Sequence, residues 1–485
     1  MTGSELVRNA VNLVGGERVL GDTPIEVRNP AAFGTVVGDV SYASPEVVDA
    51  AVRTATAAQR AWARETLESR ISQLDKAADV VERFCEDNDL ASLLTQEQGK
   101  VLSESAFDVS LASQVIRMTT EMATEALADI EFSDSRGRHI VSFDSLGVVA
   151  AVTPWNWPIV LSIMKVAPAL VAGNSVVLKP APNTPLTITA ILEVLASSLP
   201  TGLVNLVHGD GRAGAALTTH PDVAKLSFTG SVTTGRKIYT AGASSIKNMT
   251  LELGGNDPAV LLDDVDLSDE TIQRMCDATF MTTGQVCVAV KRFYVHGDRY
   301  GEFVEKFKAC ADQYVVGDGL DQRSTMGPLN NEMQFKKVHA LLDQAQRAGA
   351  TATTLGAVVP DTAWEQGYFI RPTVVTDAPS DIELVTEEQF GPIIPVLPFT
   401  DTESVLEEIN SSPYGLGSSV WSADTDRAFA VGRRIRAGGT WINAHGLANL
   451  DFHFATGGVK SSGLGVELGV DGLRAFTDRH NITER

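Results

Sequence analysis

The sequence predicts an α/β protein: a doubly wound parallel sheet in its first half, a second α/β unit after it, and a short β arm. Three observations carry this. At 485 residues, with about 150 residues per structural unit, the chain has room for roughly three units. Short apolar runs alternate with helical patterns, the order that builds a parallel sheet covered on both faces. Two segments, 130–144 and the stretch after Gly463, fit neither unit and read as protruding strands.

The elements follow in order. Ser44-Pro45 opens a helix with serine as N-cap, proline at the first helical position, and Val48, Ala51, Val52 and Ala55 on one inward face. Residues 130–144 alternate like a hairpin around Ser135-Arg136-Gly137, and an exposed hairpin edge predicts cover by a second subunit. Strands are expected at 147–152, 175–178, 203–207 and 224–228. Between the second and third, Thr184-Pro185 reads as N-cap and first residue of a helix that turns Ile188, Ile191, Leu192, Leu195 and Leu199 inward. The second unit starts near Pro258, with a helix from Ser268 towards Phe280 and a strand at Arg292–His296.

Composition removes several function classes. Lys and Arg total 39 against 61 Asp and Glu, a net charge of -22. A field of that sign repels polyanions and argues against a nucleic-acid or anionic-membrane partner. Apolar residues at 44% and charged residues at 21% exclude a disordered chain or a disulfide scaffold. Cys85, Cys276, Cys287 and Cys310 form no C-x-x-C pair and have no His at zinc-ligand spacing, so no metal is expected and a reducing compartment fits. The first 20 residues hold no sustained apolar run, and nowhere do 18 apolar residues follow one another, which reads as a soluble cytoplasmic protein.

Several residues invite chemistry, each with a plainer alternative. Gly209 to Gly214 matches G-x-G-x-x-G, yet about 20 residues later, where a ribose-binding acid belongs, stands Phe228-Thr229-Gly230-Ser231, so a simple strand-to-helix turn is the better reading. The next turn, FTGSVTTG, pairs close-approach glycines with a helix start suited to phosphate. Cys287 lies in a small, polar loop, as an unreactive thiol or a nucleophile. Glu252 ends an apolar strand before two glycines, an expensive place for a charge unless it is salt-bridged or functional. Asn156 stands between Trp155 and Trp157, as a helix cap or a polar donor.

Together these segments become specific. TPWNWP, LKP, FTGS, LELGG, GQVC, EEQFGP and GGVKSSGLG, in that order, resemble the aldehyde dehydrogenase superfamily over residues 20–480. The resemblance implies a Rossmann-like coenzyme domain (1–123 and 145–254), a catalytic domain (255–445) and an oligomerisation arm (124–144 and 464–485) that builds a homodimer or homotetramer. It implies Cys287 as nucleophile, Asn156 as oxyanion donor and Glu252 as general base, with Glu467 as a second proton carrier. Thr153, Trp155, Lys179, Gly230, Ser231, Gly235, Glu388 and Phe390 match cofactor-binding positions. Trp157, Leu161, Met164, Val286, Val288, Phe452 and His453 match an uncharged substrate tunnel, which points to an aliphatic or aromatic aldehyde. Two departures stand out. Pro182 replaces the acid expected three residues after Lys179, so NAD is expected with NADP also usable and Arg212 a candidate for its phosphate. Ala455-Thr456 replaces the usual proline and aromatic, with His445 nearby. The rivals are a non-catalytic descendant and a cysteine hydrolase that uses no nucleotide.

Overall fold

The computed structural model describes residues 8–21 and 24–484. Residues 1–7 and Arg485, assigned above to the first unit and the arm, lie outside the described residues, as do 22 and 23. No helix among the described residues is long and apolar enough to cross a membrane.

The larger sheet has eight strands, in spatial order Gly463–Leu464, Asn248–Glu252, Val223–Thr229, Val148–Val152, Ser175–Lys179, Val204–Leu206, Asn12–Val14 and Glu17–Val19. The five from Asn248–Glu252 to Val204–Leu206 are parallel. They read as near-continuous apolar runs because helices cover both faces. Pro45–Trp62 buries the four predicted residues and takes Ser44 as cap, its side chain accepting from the Val47 N–H. Pro158–Val171 is buried along its length, with Lys165 its one cation.

The helix after Pro185 corrects one expectation. It runs Leu186–Ser197 without a side-chain cap from Thr184, whose hydroxyl is buried and unpartnered. The Glu97 carboxylate supplies the acceptor instead, taking the Leu186 and Thr187 N–H groups at 2.8 and 2.9 Å. A cap from a distant helix leaves no sequence signature beside the helix it serves.

The second sheet has seven strands: Thr351–Thr354, Thr373–Thr376, Ile393–Phe399, Arg292–His296, Pro258–Leu261, Ser419–Trp421 and Trp441–Ile442. All pairs are parallel except the first. The 130–144 segment forms the hairpin Ile130–Asp134 and Gly137–Ser145, and Thr477–Glu484 adds a third antiparallel strand. The stretch after Gly463 is therefore divided: its start pairs with Asn248–Glu252 in the larger sheet, and only its end joins the arm.

Candidate active site

In the larger sheet the strand order reverses between Val148–Val152 and Val223–Thr229. Such a reversal leaves a crevice at the carboxyl ends of the strands. Val152 runs on into Trp155 and Asn156, Thr229 into Gly230 and Ser231, and Glu252 into Leu253 and Gly254. The other wall brings Cys287, Gln334, Lys337, Glu388 and Phe390, and the two walls enclose a cleft of about 250 Å³.

The cleft has the form of a dinucleotide cradle. A Cβ on Gly230 would meet the Phe228 ring at 2.6 Å, one on Gly235 would meet Leu253 at 2.4 Å, and one on Gly254 would meet Glu388 at 2.6 Å, so the backbone approaches its neighbours as only glycine allows. Ser231 caps the helix Val232–Ala243, whose first N–H groups lack helical partners and suit a diphosphate. Lys179 ends its strand with its stem against Gly214, and burial pushes its ammonium down to about 8. Phe390 meets Trp155 edge-on at 5.5 Å, and Glu388 accepts the Gly255 N–H at 3.0 Å. Thr153 is buried behind them, its hydroxyl on Ser162 at 3.0 Å. The G-x-G-x-x-G match is a plain turn: Asp210 caps Gly211–Thr219, and its carboxylate also holds the Arg212 guanidinium.

The loop that carries Cys287 is held from several sides. After the helix Asp269–Phe280, Thr282 and Thr283 take φ of 51° and 59°, a left-handed pair costing about 1 kcal/mol or more per residue. Glu104 accepts the Thr282 N–H at 2.7 Å, and the Thr283 hydroxyl donates to the Gly327 carbonyl at 2.9 Å. Asn156 Nδ2 donates to the Gln285 carbonyl at 3.0 Å, which ties TPWNWP to the loop and uses one of its two N–H groups. Cys287 is half-buried at the cleft. Burial, then Glu388, Asp257 and Glu252, push its thiol up to about 12, while Lys291 opposes them.

Glu252 does not line the cleft. Its carboxyl is turned towards Gly457, 3.1 Å from where a Cβ there would stand, and one oxygen is buried without a partner. Burial and then Glu467 raise it well above the usual carboxylate range, against Lys165 and the Gly458 backbone. Glu467 is in turn paired with Lys165 and accepts from Ser227 at 3.3 Å.

The tunnel residues scatter. Met164 and Phe452 line a small apolar pocket with Met118 and Leu468. Leu161 and Val288 pack half-buried on the same core, and Val286 is buried in it. Trp157 is turned away, its ring 3.8 Å from Lys100 Nζ and edge-on to Phe107. His453 is 57% exposed and pairs with Asp451, outside both cavities. Sequence reasoning missed Lys165, Lys291 and Glu104. The signal for Lys165 was present, a single cation inside PIVLSIMKVAPALV.

Comparison with known proteins bears on the whole chain. The model of the aldehyde dehydrogenase family matches residues 19–482. The phenylacetaldehyde dehydrogenase of Pseudomonas fluorescens is 36% identical over 484 residues, 97% of this chain and 95% of that one. A betaine aldehyde dehydrogenase of Rhizobium etli (strain CIAT 652) is 35% identical over 462 residues, 95% of this chain and 93% of the other. Among solved structures, the Staphylococcus aureus betaine aldehyde dehydrogenase in complex with NAD+ superposes with a TM-score of 0.91 at 30% identity, covering 99% and 95% of the two chains. An E. coli NADP-dependent enzyme reaches 0.92 at 33% identity, covering 99% and 98%. The motifs, the strand order and these full-length matches agree, and the chain belongs to the aldehyde dehydrogenase family.

Proposed function

We propose that the chain oxidises an uncharged aliphatic or aromatic aldehyde to its carboxylic acid, with NAD as hydride acceptor and NADP as a usable second one. The observation that carries this is the shared cleft: Cys287 and Asn156 meet there with Glu388, Phe390 and the glycine-rich turn. The Cys287 thiolate adds to the aldehyde carbon. Charge on the former carbonyl oxygen is met by the second Asn156 N–H and the Cys287 backbone N–H, each worth about 3 kcal/mol. A bound nicotinamide supplies the hydride acceptor, with Trp155, Glu388 and Phe390 to hold it and Lys179, Gly230, Ser231 and Gly235 for the rest of the dinucleotide. The acyl group stays on Cys287 as a thioester. Glu252, its carboxyl turned from Gly457 towards the cleft, takes a proton from water, the oxygen adds to the acyl carbon, the C–S bond breaks, and the acid leaves with the Cys287 thiolate restored.

Met164 and Phe452, which the family resemblance puts on the substrate side, line an apolar pocket without a cation, which suits a neutral chain or ring and leaves a terminal carboxylate unpaired. NADH formation over a panel varying chain length, ring and charge tests this. The expected result is turnover of neutral aldehydes that Cys287→Ala abolishes. A large preference for succinate semialdehyde would overturn the substrate class, and full activity in Cys287→Ala the nucleophile.

Cofactor choice rests on Pro182, half-buried three residues after Lys179. Proline neither repels a ribose phosphate nor binds ribose hydroxyls. Pro182→Glu is expected to cut kcat/KM with NADP much more than with NAD; an unchanged ratio would mean that position 182 does not face the adenosine ribose.

The sheet Ile130–Asp134, Gly137–Ser145 and Thr477–Glu484 serves as the assembly arm. It exposes Ile130, Phe132 and Ile482 at 49%, 58% and 49%, apolar area that a partner subunit would cover. Light scattering is expected to give a dimer or tetramer, and a stable, active monomer would contradict the arm's role.

A further inference from the structure

Lys291 takes no part in the reaction as set out above, yet its placement is costly. Its side chain is 1% exposed, and burial lowers its basicity. No carboxylate of the described residues lies within salt-bridge distance of it. Its Nζ donates instead to two backbone carbonyls, Gly284 at 2.9 Å and Val286 at 2.7 Å, and lies 5.0 Å from the centroid of the Phe390 ring. Ammonium hydrogen-bonded to neutral carbonyls keeps its charge for its surroundings, whereas one clamped to a carboxylate is largely neutralised at longer range.

Those carbonyls belong to the nucleophile loop. Val286 immediately precedes Cys287, and Gly284 closes the left-handed run that began at Thr282. Pinning both carbonyls to one ammonium restrains the Gly284–Gln285 and Val286–Cys287 peptides, and the Gln285 carbonyl between them is held by Asn156. The same ammonium is the cation set against Glu388, Asp257 and Glu252 around the thiol. The charged groups that face it come from several elements: Glu388 after Glu383–Thr386, Asp257 ahead of Pro258–Leu261, Lys337 on Glu332–Arg347, and Cys287 in its own loop.

We propose that Lys291 is the positioning residue of the nucleophile: it pins the Gly284 and Val286 carbonyls and supplies the positive field that favours the Cys287 anion over the neutral thiol. This rests on Cys287 being the nucleophile and goes beyond it, because it assigns the source of the anion's stabilisation within the protein.

The test is the rate of iodoacetamide alkylation of Cys287 against pH, read by peptide mass, in wild type, Lys291→Gln, Lys291→Arg and Asp257→Asn. Lys291→Gln is expected to move the profile up by about one pH unit, which is about tenfold slower labelling at a fixed pH below the midpoint. Lys291→Arg keeps the charge and is expected to restore most of the rate. Asp257→Asn removes an opposing acid while keeping the oxygen that accepts the Gly417 N–H, and is expected to speed labelling. A purely structural role would slow labelling in all three variants, and that outcome overturns the proposal. Should Lys291→Gln not fold, Asp257→Asn still decides, since an unchanged or slower rate there is equally fatal. If wild-type Cys287 is labelled with no loss of NADH formation, the nucleophile assignment fails instead.

Discussion

Lys165 and Lys291 are both buried beside acids, yet the molecule uses their charges differently. Lys165 is clamped to Glu467, which also accepts from Ser227. Its neighbour Lys225, pushed down to about 7 by burial, holds Asn248 and Thr250 at 2.8 Å each. Positive charge in this cluster is spent locally, and Glu252, with one oxygen unpartnered, is left as a carboxyl that prefers its proton. Around Cys287 the lysine is bound to carbonyls and its field reaches the thiol. Burial and a like charge thus hold the Glu252 carboxyl in its protonated form against a lysine already clamped elsewhere, whereas at Cys287 the lysine's field opposes the burial and the acids that keep the thiol neutral.

The strongest way to break this comparison is to remove the base alone. Glu252→Gln is expected to lower steady turnover by about 10²- to 10⁴-fold, while a first-turnover burst of NADH near one per site survives in stopped flow. The proposed deacylation needs the carboxylate, and losing one of the acids set against the thiol does not hinder the Cys287 step. A burst lost in the same proportion would mean that Glu252 acts on the thiol, and that the two clusters form one unit.

Next in size is the clamp. Lys165→Met leaves Glu467, 3% exposed, as a buried charge without its cation, and is expected to cost about 3 to 5 kcal/mol in urea unfolding. Replacing both partners with apolar residues of similar volume should recover most of that loss, because a buried pair contributes little net stability beyond its own desolvation. A single-variant loss under about 1 kcal/mol would show that water screens the pair.

How far the sequence revealed this arrangement depended on whether a residue's role is local. Ser44-Pro45, Ser268 and the hairpin turn at Ser135-Arg136 were legible because caps and turns are written in neighbouring residues. Cys287, Asn156, Glu388 and Phe390 were legible through motifs, and the structure brings them to one cleft. Glu97 capping a helix almost 90 positions away and Glu104 holding Thr282 were not, since each depends on the tertiary path of the chain, and Lys291, only five and seven residues from the carbonyls it pins, matches no cap or turn pattern. Trp157 shows the converse. Its place in TPWNWP suggested the tunnel, but the buried cation of Lys100, held by Asp108 at 2.9 Å, offered its ring a better seat.

The smallest expected effect is also the most discriminating, because it moves one cluster and leaves the other still. If Glu252 is the base proposed above, it works ionised, so turnover should rise with pH as its carboxyl loses the proton, and its raised pKa sets that acid limb. Glu467 is a like charge that helps raise it, and Lys165 is the cation that opposes it. Glu467→Gln removes the like charge, keeps an amide oxygen for the Lys165 ammonium, and frees that ammonium's field for Glu252. Both changes favour the carboxylate, so the acid limb of kcat should move down, by about one pH unit. The alkylation profile of Cys287 should not move down with it: Glu467 is not among the charges that act on the thiol, and Glu252, which is, would push the thiol slightly up when it ionises earlier. An acid limb that stays in place would show that some group other than Glu252 limits turnover at low pH. A limb and a thiol profile that move together would show that the two lysines serve one electrostatic network instead of two.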